Sequence, residues 1–196
     1  ILETLSIKKS GQKLVMSGCA AMAYGALVAG CRFYSGYPIT PATEIMEFLA
    51  KEMPRMGGSV IQCEDEIAAI TSAIGASFSG VKAMTATSGP GLSLMSEALG
   101  LASMAEIPVV IADVQRGGPS TGLPTKTEQS DLNLAVYGTH GDTPKIVLAP
   151  INVEDSFYQT IKAFNYAEKY QVPVIILSDV SLGERIECID MVNLNE

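Results

Sequence analysis

Three acidic residues in a row, Glu64-Asp65-Glu66, stand directly ahead of Ile67–Phe78, a stretch with no charged residue. The plain reading makes the acids partners of a helix macrodipole, which favours negative charge at a helix N-terminus. The uncharged run suggests more, because a helix without charge is buried or packed at an interface. A carboxylate at the mouth of such a helix lies near low dielectric, where it can share a proton with a ligand.

A second element, Thr87-Ser88-Gly89-Pro90-Gly91, reads as a turn from strand to helix, with Ser88 as helix cap. Gly supplies unusual backbone angles and Pro fits a helix start. Without side chains there, backbone can also approach a ligand closely. The Gly-Lys-Ser/Thr ending of a P-loop is absent.

A third element follows a Val/Ile-rich run: Arg116-Gly117-Gly118-Pro119-Ser120-Thr121-Gly122-Leu123-Pro124-Thr125-Lys126. A solvated loop is the plain reading. At the end of a core strand, however, the Arg116 guanidinium can pair bidentately with a carboxylate. His140 is the single histidine and no nucleophile signature accompanies it, which argues against Ser-His-Asp and Cys-His hydrolases.

The elements that must position these residues alternate. Short strands are expected at Leu14–Met16, Arg32–Tyr34, Val60–Cys63, Lys82–Ala86, Val109–Asp113, Lys145–Ala149 and Val174–Leu177. Helices are expected over Gly18–Ala29, Pro41–Met53 with Pro41 in the first turn, Glu64–Ser79, Gly91–Met104, and from an Asn152 cap to Tyr170. Short Val/Ile strands separated by helices imply parallel crossovers with both sheet faces covered. The expected fold is α/β, a doubly wound parallel sheet with helices on both faces. Ligands gather at the carboxyl ends of such strands. Four loops, Tyr37–Pro41, Glu64–Glu66, Thr87–Gly91 and Gln115–Thr125, should therefore meet on one edge.

The 196 residues, 47% hydrophobic and 17% charged, fit one domain with a large core. A net charge of −8 argues against nucleic acid, whose phosphates need clustered Lys and Arg. Lys8-Lys9 reads as a solvated tail. Cys19, Cys31, Cys63 and Cys188 form no Cys-x-x-Cys pair, so no metal site is assigned within the chain. Scattered cysteines and an Ile1–Lys13 segment without an apolar signal core read as a cytoplasmic protein with reduced thiols. No apolar run reaches membrane-spanning length.

Gly36-Tyr37-Pro38-Ile39-Thr40-Pro41 resembles the Tyr-Pro-Ile-Thr-Pro signature of 2-oxoacid:ferredoxin oxidoreductase alpha subunits. The run from Glu64 through Thr87–Gly91 to Arg116 resembles the pyrimidine-binding domain of these thiamine-diphosphate enzymes. The Thr-Ser-Gly-Pro-Gly element alone marks only the thiamine superfamily. The resemblance covers about Gly18 to Asp179.

By position, the resemblance implies that Glu66, nine residues before Gly75, is the glutamate that hydrogen-bonds the aminopyrimidine ring and activates the cofactor. Glu64 is the competing candidate, two residues too far from Gly75. The resemblance further implies that Thr40 and Arg116 meet the substrate, Arg116 at its carboxylate. Tyr37, Pro38, Ile39, Ser88, Gly89 and Pro90, with Glu66, are the implied cofactor contacts. Gly117–Thr125 resembles the 2-oxoglutarate-type loop.

The implied activity is oxidative decarboxylation of a 2-oxoacid with coenzyme A, giving acyl-CoA and carbon dioxide and reducing ferredoxin. The family's Gly-Asp-Gly sequence for pyrophosphate and Mg2+ does not occur here, nor does an iron–sulfur ligand set. The resemblance puts both on partner chains: a beta subunit, and gamma and delta subunits in larger assemblies. The expected organisation is a tail over 1–13, a pyrimidine-binding domain over 14–180, and over 181–196 an extension or a linker to a missing domain. Family alpha chains usually continue into a further domain, so this sequence is expected to be a truncated form or a short variant. Two other functions compete: a non-redox thiamine decarboxylase or acetolactate-synthase-like subunit, and a non-catalytic flavodoxin-like interaction domain. The second would require that the four loops do not converge, or that Glu66 points into solvent.

Overall fold

The computed structural model describes residues 13–190; Lys8-Lys9 and the end of the expected extension lie outside them. The strands are β1 (Lys13–Ser17), β2 (Phe33–Gly36), β3 (Ser59–Gln62), β4 (Ala83–Thr87), β5 (Val109–Gln115), β6 (Ile146–Leu148), β7 (Pro173–Asp179) and β8 (Ile186–Asp190). The helices are α1 (Gly18–Val28), α2 (Thr43–Glu52), α3 (Glu66–Phe78), α4 (Gly89–Met104), α5 (Leu132–Tyr137), α6 (Val153–Tyr170) and α7 (Val180–Gly183).

Six strands form one parallel sheet in the order β3-β2-β4-β5-β7-β6. The sheet is doubly wound, as expected. Along β5, Val110, Ala112 and Val114 enter one core with Met22, Ile45, Leu49 and Phe164 of α1, α2 and α6. Val109 and Ile111 enter a second core with Ile70, Leu92, Met95 and Ala135 of α3, α4 and α5. The period of two in a strand divides adjacent residues between the two faces. Both faces are covered, which is why these strands read as continuous apolar runs.

Several helix starts follow from local chemistry. The side chains of Ser17, Asp65, Asn152 and Asp179 each accept a hydrogen bond from a first-turn backbone N–H. Each satisfies a donor that the helix itself cannot.

Four boundaries differ from expectation. The third helix begins at Glu66, because Asp65 is its extended N-cap, and Glu64 lies outside it. Helix α2 begins at Thr43, two residues after Pro41, so Pro41 belongs to the loop. Helix α4 starts at Gly89 with Ser88 in the N-cap position, yet the Ser88 side chain makes no capping bond. The expected strand at Leu14–Met16 forms, but it pairs antiparallel with β8 in a separate two-stranded ribbon. Ile189 of β8 packs with Val153, Phe157 and Leu182 in a third core. The folded body therefore continues past 180 through residues placed in the extension. Helices α5 and α7 were not anticipated.

Candidate active site

The strand order reverses between β2 and β4: the chain runs from β2 out to β3, then crosses back to β4 on the other side. Such a switch point opens a crevice at the carboxyl ends of the strands. The loops after β2, β3, β4 and β5 all leave from that edge, and they carry Thr40, Glu66, Ser88 and Arg116 respectively.

Contacts join the loops in two pairs. Arg116 is 6% exposed, and it donates from Nη1 to Thr40 O at 2.7 Å and from Nη2 to Thr121 O at 2.6 Å. One guanidinium thus ties the Tyr37–Pro41 loop to the glycine-rich loop. The second pair joins α3 to α4. Glu66 is 5% exposed at the first turn of α3, and its Oε1 would lie 2.7 Å from a Cβ on Gly91. Glycine at 91 is what lets the helix backbone come this close to the carboxylate. Glu64, by contrast, is exposed.

A cavity of about 650 Å³ lies beside these pairs, a volume suited to a cofactor-sized ligand. Gly89, Pro90, Arg116, Thr121 and Asp131 are among its lining residues. Glu66 stands behind this wall rather than on it. Of the other expected contacts, Tyr37 is 41% exposed, Thr40 is exposed, and Pro38 and Ile39 are half-buried. The Tyr37–Thr40 side chains are not among the cavity's lining. Ser88 is fully buried and its hydroxyl has no hydrogen-bond partner.

The fit to a thiamine-type cofactor is favourable on two structural counts. Gly89-Pro90-Gly91 is a cradle that side chains would fill, since a Cβ on Gly91 runs into Thr87 and Glu66 and one on Gly89 into Asp131. The buried Ser88 hydroxyl and the Arg116 Nε are polar atoms left without a partner. A native protein rarely leaves such groups unmatched, so each suits a site that receives a polar ligand.

Arg116 departs from the simplest expectation. Both Nη groups are committed to backbone carbonyls, so bidentate pairing through them would release one loop or both. Its charge and the unpartnered Nε remain.

Three residues of the same edge escaped the sequence reading. Asp113 is completely buried on β5, Gln115 donates to Ser178 O at 3.0 Å and accepts from Asp131 N at 3.0 Å, and Asp131 lines the cavity. An acid inside a Val/Ile strand was a usable signal for Asp113. Asp131 had none, because the segment before α5 carries no periodicity.

Among the described residues, no group of three or more His, Cys, Asp or Glu is placed to hold a metal, and no helix is long and apolar enough to cross a membrane.

Known proteins share this architecture. The chain is 55% identical over 172 residues to the 2-oxoglutarate synthase subunit KorA of Methanocaldococcus jannaschii, covering 88% of this chain and 47% of that one. It is 46% identical over 185 residues to 2-oxoacid:ferredoxin oxidoreductase 1, subunit alpha, of Aeropyrum pernix, covering 91% of this chain and 29% of that one. A solved 2-oxoglutarate:ferredoxin oxidoreductase from Magnetococcus marinus, with 2-oxoglutarate, coenzyme A and succinyl-CoA bound, superposes with a TM-score of 0.94 at 52% identity. That match covers 96% of this chain and 33% of the other. The chain thus spans half or less of the length of these relatives. A family model described as pyruvate flavodoxin/ferredoxin oxidoreductase, thiamine-diphosphate-binding, matches residues 24–196. With Glu66 against Gly91 at the switch point and this match over most of its length, the chain belongs to the thiamine-diphosphate-binding domain family of the pyruvate flavodoxin/ferredoxin oxidoreductases.

Proposed function

We propose that this chain is the pyrimidine-binding domain of the alpha subunit of a 2-oxoacid:ferredoxin oxidoreductase acting on 2-oxoglutarate. The reaction joins the acyl group of the oxoacid to coenzyme A, releases carbon dioxide and reduces ferredoxin. The observation that carries the reading is the buried Glu66 carboxylate held against Gly91 at the strand-order reversal. The names of the relatives favour 2-oxoglutarate as substrate.

Thiamine diphosphate, when bound, supplies a nucleophilic carbon and an electron sink. The residues of this chain do the rest of what is assigned here. Glu66 accepts a hydrogen bond from a ring nitrogen of the aminopyrimidine and exchanges a proton with it. Gly89, Pro90 and Gly91 let the cofactor approach backbone, and the Ser88 hydroxyl offers a donor. Tyr37, Pro38 and Ile39 lie on the loop that flanks the cofactor. Arg116 holds that loop and the Thr121 loop together, and its positive charge attracts the substrate carboxylate. Thr40 stands at the mouth of the site, near the substrate.

The exposed side of α3 supports a partner seat. Ile67 is 52% and Phe78 is 80% exposed, and no charge lies between them. A beta subunit carrying the pyrophosphate and Mg2+ site, with an iron–sulfur cluster in the assembly, fits there.

The test is Glu66→Gln beside Glu64→Gln in the assembled enzyme, read by hydrogen–deuterium exchange at the thiazolium C2 of bound cofactor. Positioned proton transfer is worth about 10²–10⁴ in rate. The Glu66 variant should slow exchange by that order, and the Glu64 variant should not. Exchange unaffected by Glu66→Gln would remove the assignment.

A further inference from the structure

Asp113 is fully buried, and neither of its carboxyl oxygens has a hydrogen-bond donor among the described residues. It belongs to the β5 face that carries Val109 and Ile111 into the second core. An isolated ionised carboxylate in such surroundings is strongly disfavoured and takes up a proton instead.

No cation answers it. From β4 it faces Thr85 and Thr87, both uncharged. Its partner on β7 is Leu177; Asp179, further on, accepts from Gln129 and caps α7. The first turn of α4, Gly89 to Leu92, carries no charge, and Glu66 of α3 stands behind Gly91. Arg116 is committed to the Thr40 and Thr121 carbonyls. That leaves Asp131, a group of the same sign, with Glu128 beyond it.

Asp131 is placed by β5. Gln115, two residues after Asp113 and therefore on the same face, accepts from Asp131 N at 3.0 Å. The Asp131 Oδ2 is itself buried without a donor. Both Asp131 oxygens would lie 2.6 Å from a Cβ on Gly89, so this carboxylate abuts the first turn of α4. Gln115 thus fixes the backbone of Asp131, and Asp113 sits beside Gln115 as a source of the proton its carboxylate lacks.

We propose that Asp113 and Asp131 share one proton and act as a positioning pair, holding the Gly89–Gly91 turn and with it one wall of the ligand cavity. Burial first, and the Asp131 charge second, hold the Asp113 carboxyl well above the ordinary carboxylate range. Asp131 is raised as well, first by its own burial. The two titrate as a pair. That the wall serves a thiamine cofactor rests on the function proposed above; the shared proton does not.

The sign of the pH effect follows. A carboxyl raised in the folded state costs nothing below its unfolded pKa of about 3.9, and stability falls as pH rises from there toward the folded value. Over that window the unfolding constant grows about tenfold per pH unit for each such group.

The experiment uses the full-length protein with any chains that co-purify. Thermal and denaturant unfolding are measured from pH 5 to pH 9 for wild type, Asp113→Asn and Asp113→Leu. Asp113→Asn cannot ionise, so it should gain on wild type steadily as pH rises. Difference infrared spectra, wild type minus Asp113→Asn at neutral pH, should show the C=O band of a protonated carboxylic acid. Thiamine diphosphate affinity should fall more than tenfold in Asp113→Leu, and Asp113→Asn, which restores a donor toward Asp131, should recover most of the loss. A pH-independent offset between wild type and Asp113→Asn, or no carboxylic acid band, overturns the shared proton. An intact shared proton with equal cofactor affinity in Leu and Asn variants overturns the positioning role. Absence of cofactor binding in wild type sinks the functional reading and leaves the unfolding and infrared arms standing.

Discussion

Glu66 and Gly91 are fitted to each other: a Cβ on Gly91 would stand 2.7 Å from both Cγ and Oε1 of the glutamate. Gly91→Ala should therefore force the carboxylate or the α4 backbone to move. Overpacking of this kind costs about 1–3 kcal/mol. We expect a folded variant with a lower melting temperature and at least tenfold weaker thiamine diphosphate binding, measured by calorimetry on the assembled enzyme. Wild-type affinity in a folded Gly91→Ala variant would show that the cofactor does not depend on this contact.

Arg116 is a clamp as well as a charge. Arg116→Ala leaves the carbonyls of Thr40 and Thr121 without their donors. Truncating a buried charge-assisted partner costs about 2–5 kcal/mol. Steady-state kinetics should show kcat/KM for the oxoacid falling by a factor of roughly 30 or more. Arg116→Lys restores the charge without the fork that spans two acceptors, so it should recover only part of the loss.

The exposed face of α3 should be needed for assembly and not for folding. Phe78 is 80% exposed at the end of that helix, so Phe78→Asp buries no charge in the isolated chain. Its melting temperature should stay close to wild type. If the face is the partner seat, size-exclusion chromatography should show the complex dissociating at concentrations where wild type remains assembled. An unaffected complex would move the interface elsewhere.

The cysteines should divide by burial. Cys31 is buried and its thiol is pushed up to about 12, chiefly by burial; Cys19 is raised in the same way. The thiolate is the reactive form, so neither should alkylate in the folded protein at pH 8. Cys188 is exposed and Cys63 half-buried. Mass spectrometry after iodoacetamide should find label at Cys188, with Cys63 slower. Labelling of Cys19 or Cys31 should appear only as fast as the protein unfolds.

Much of the architecture was legible because its signals are local. Val/Ile runs set the sheet strands, and Asn152 capped α6 with the expected end at Tyr170. Acids before an uncharged run gave the position of α3, and Gly-Pro-Gly the start of α4. These are properties of short segments, fixed by side-chain periodicity and by which residue can satisfy a free N–H. The four converging loops followed from topology, since parallel strands with helical crossovers put every strand-to-helix loop on one edge.

What the sequence could not settle were relationships between distant segments. It named Arg116 without saying that both Nη groups are spent on Thr40 and Thr121. It ended the fifth strand at Asp113, yet gave no sign that this acid would be sealed in the core beside Asp131. It found the Leu14–Met16 strand but not its partner, because β8 pairs with it across most of the chain and an amphipathic five-residue segment does not specify what it will pair with. Types, spacings and local conformations are written in neighbouring residues. Which donor meets which acceptor, and which charge loses its water, depends on packing, where a shift of about an ångström makes or breaks a hydrogen bond.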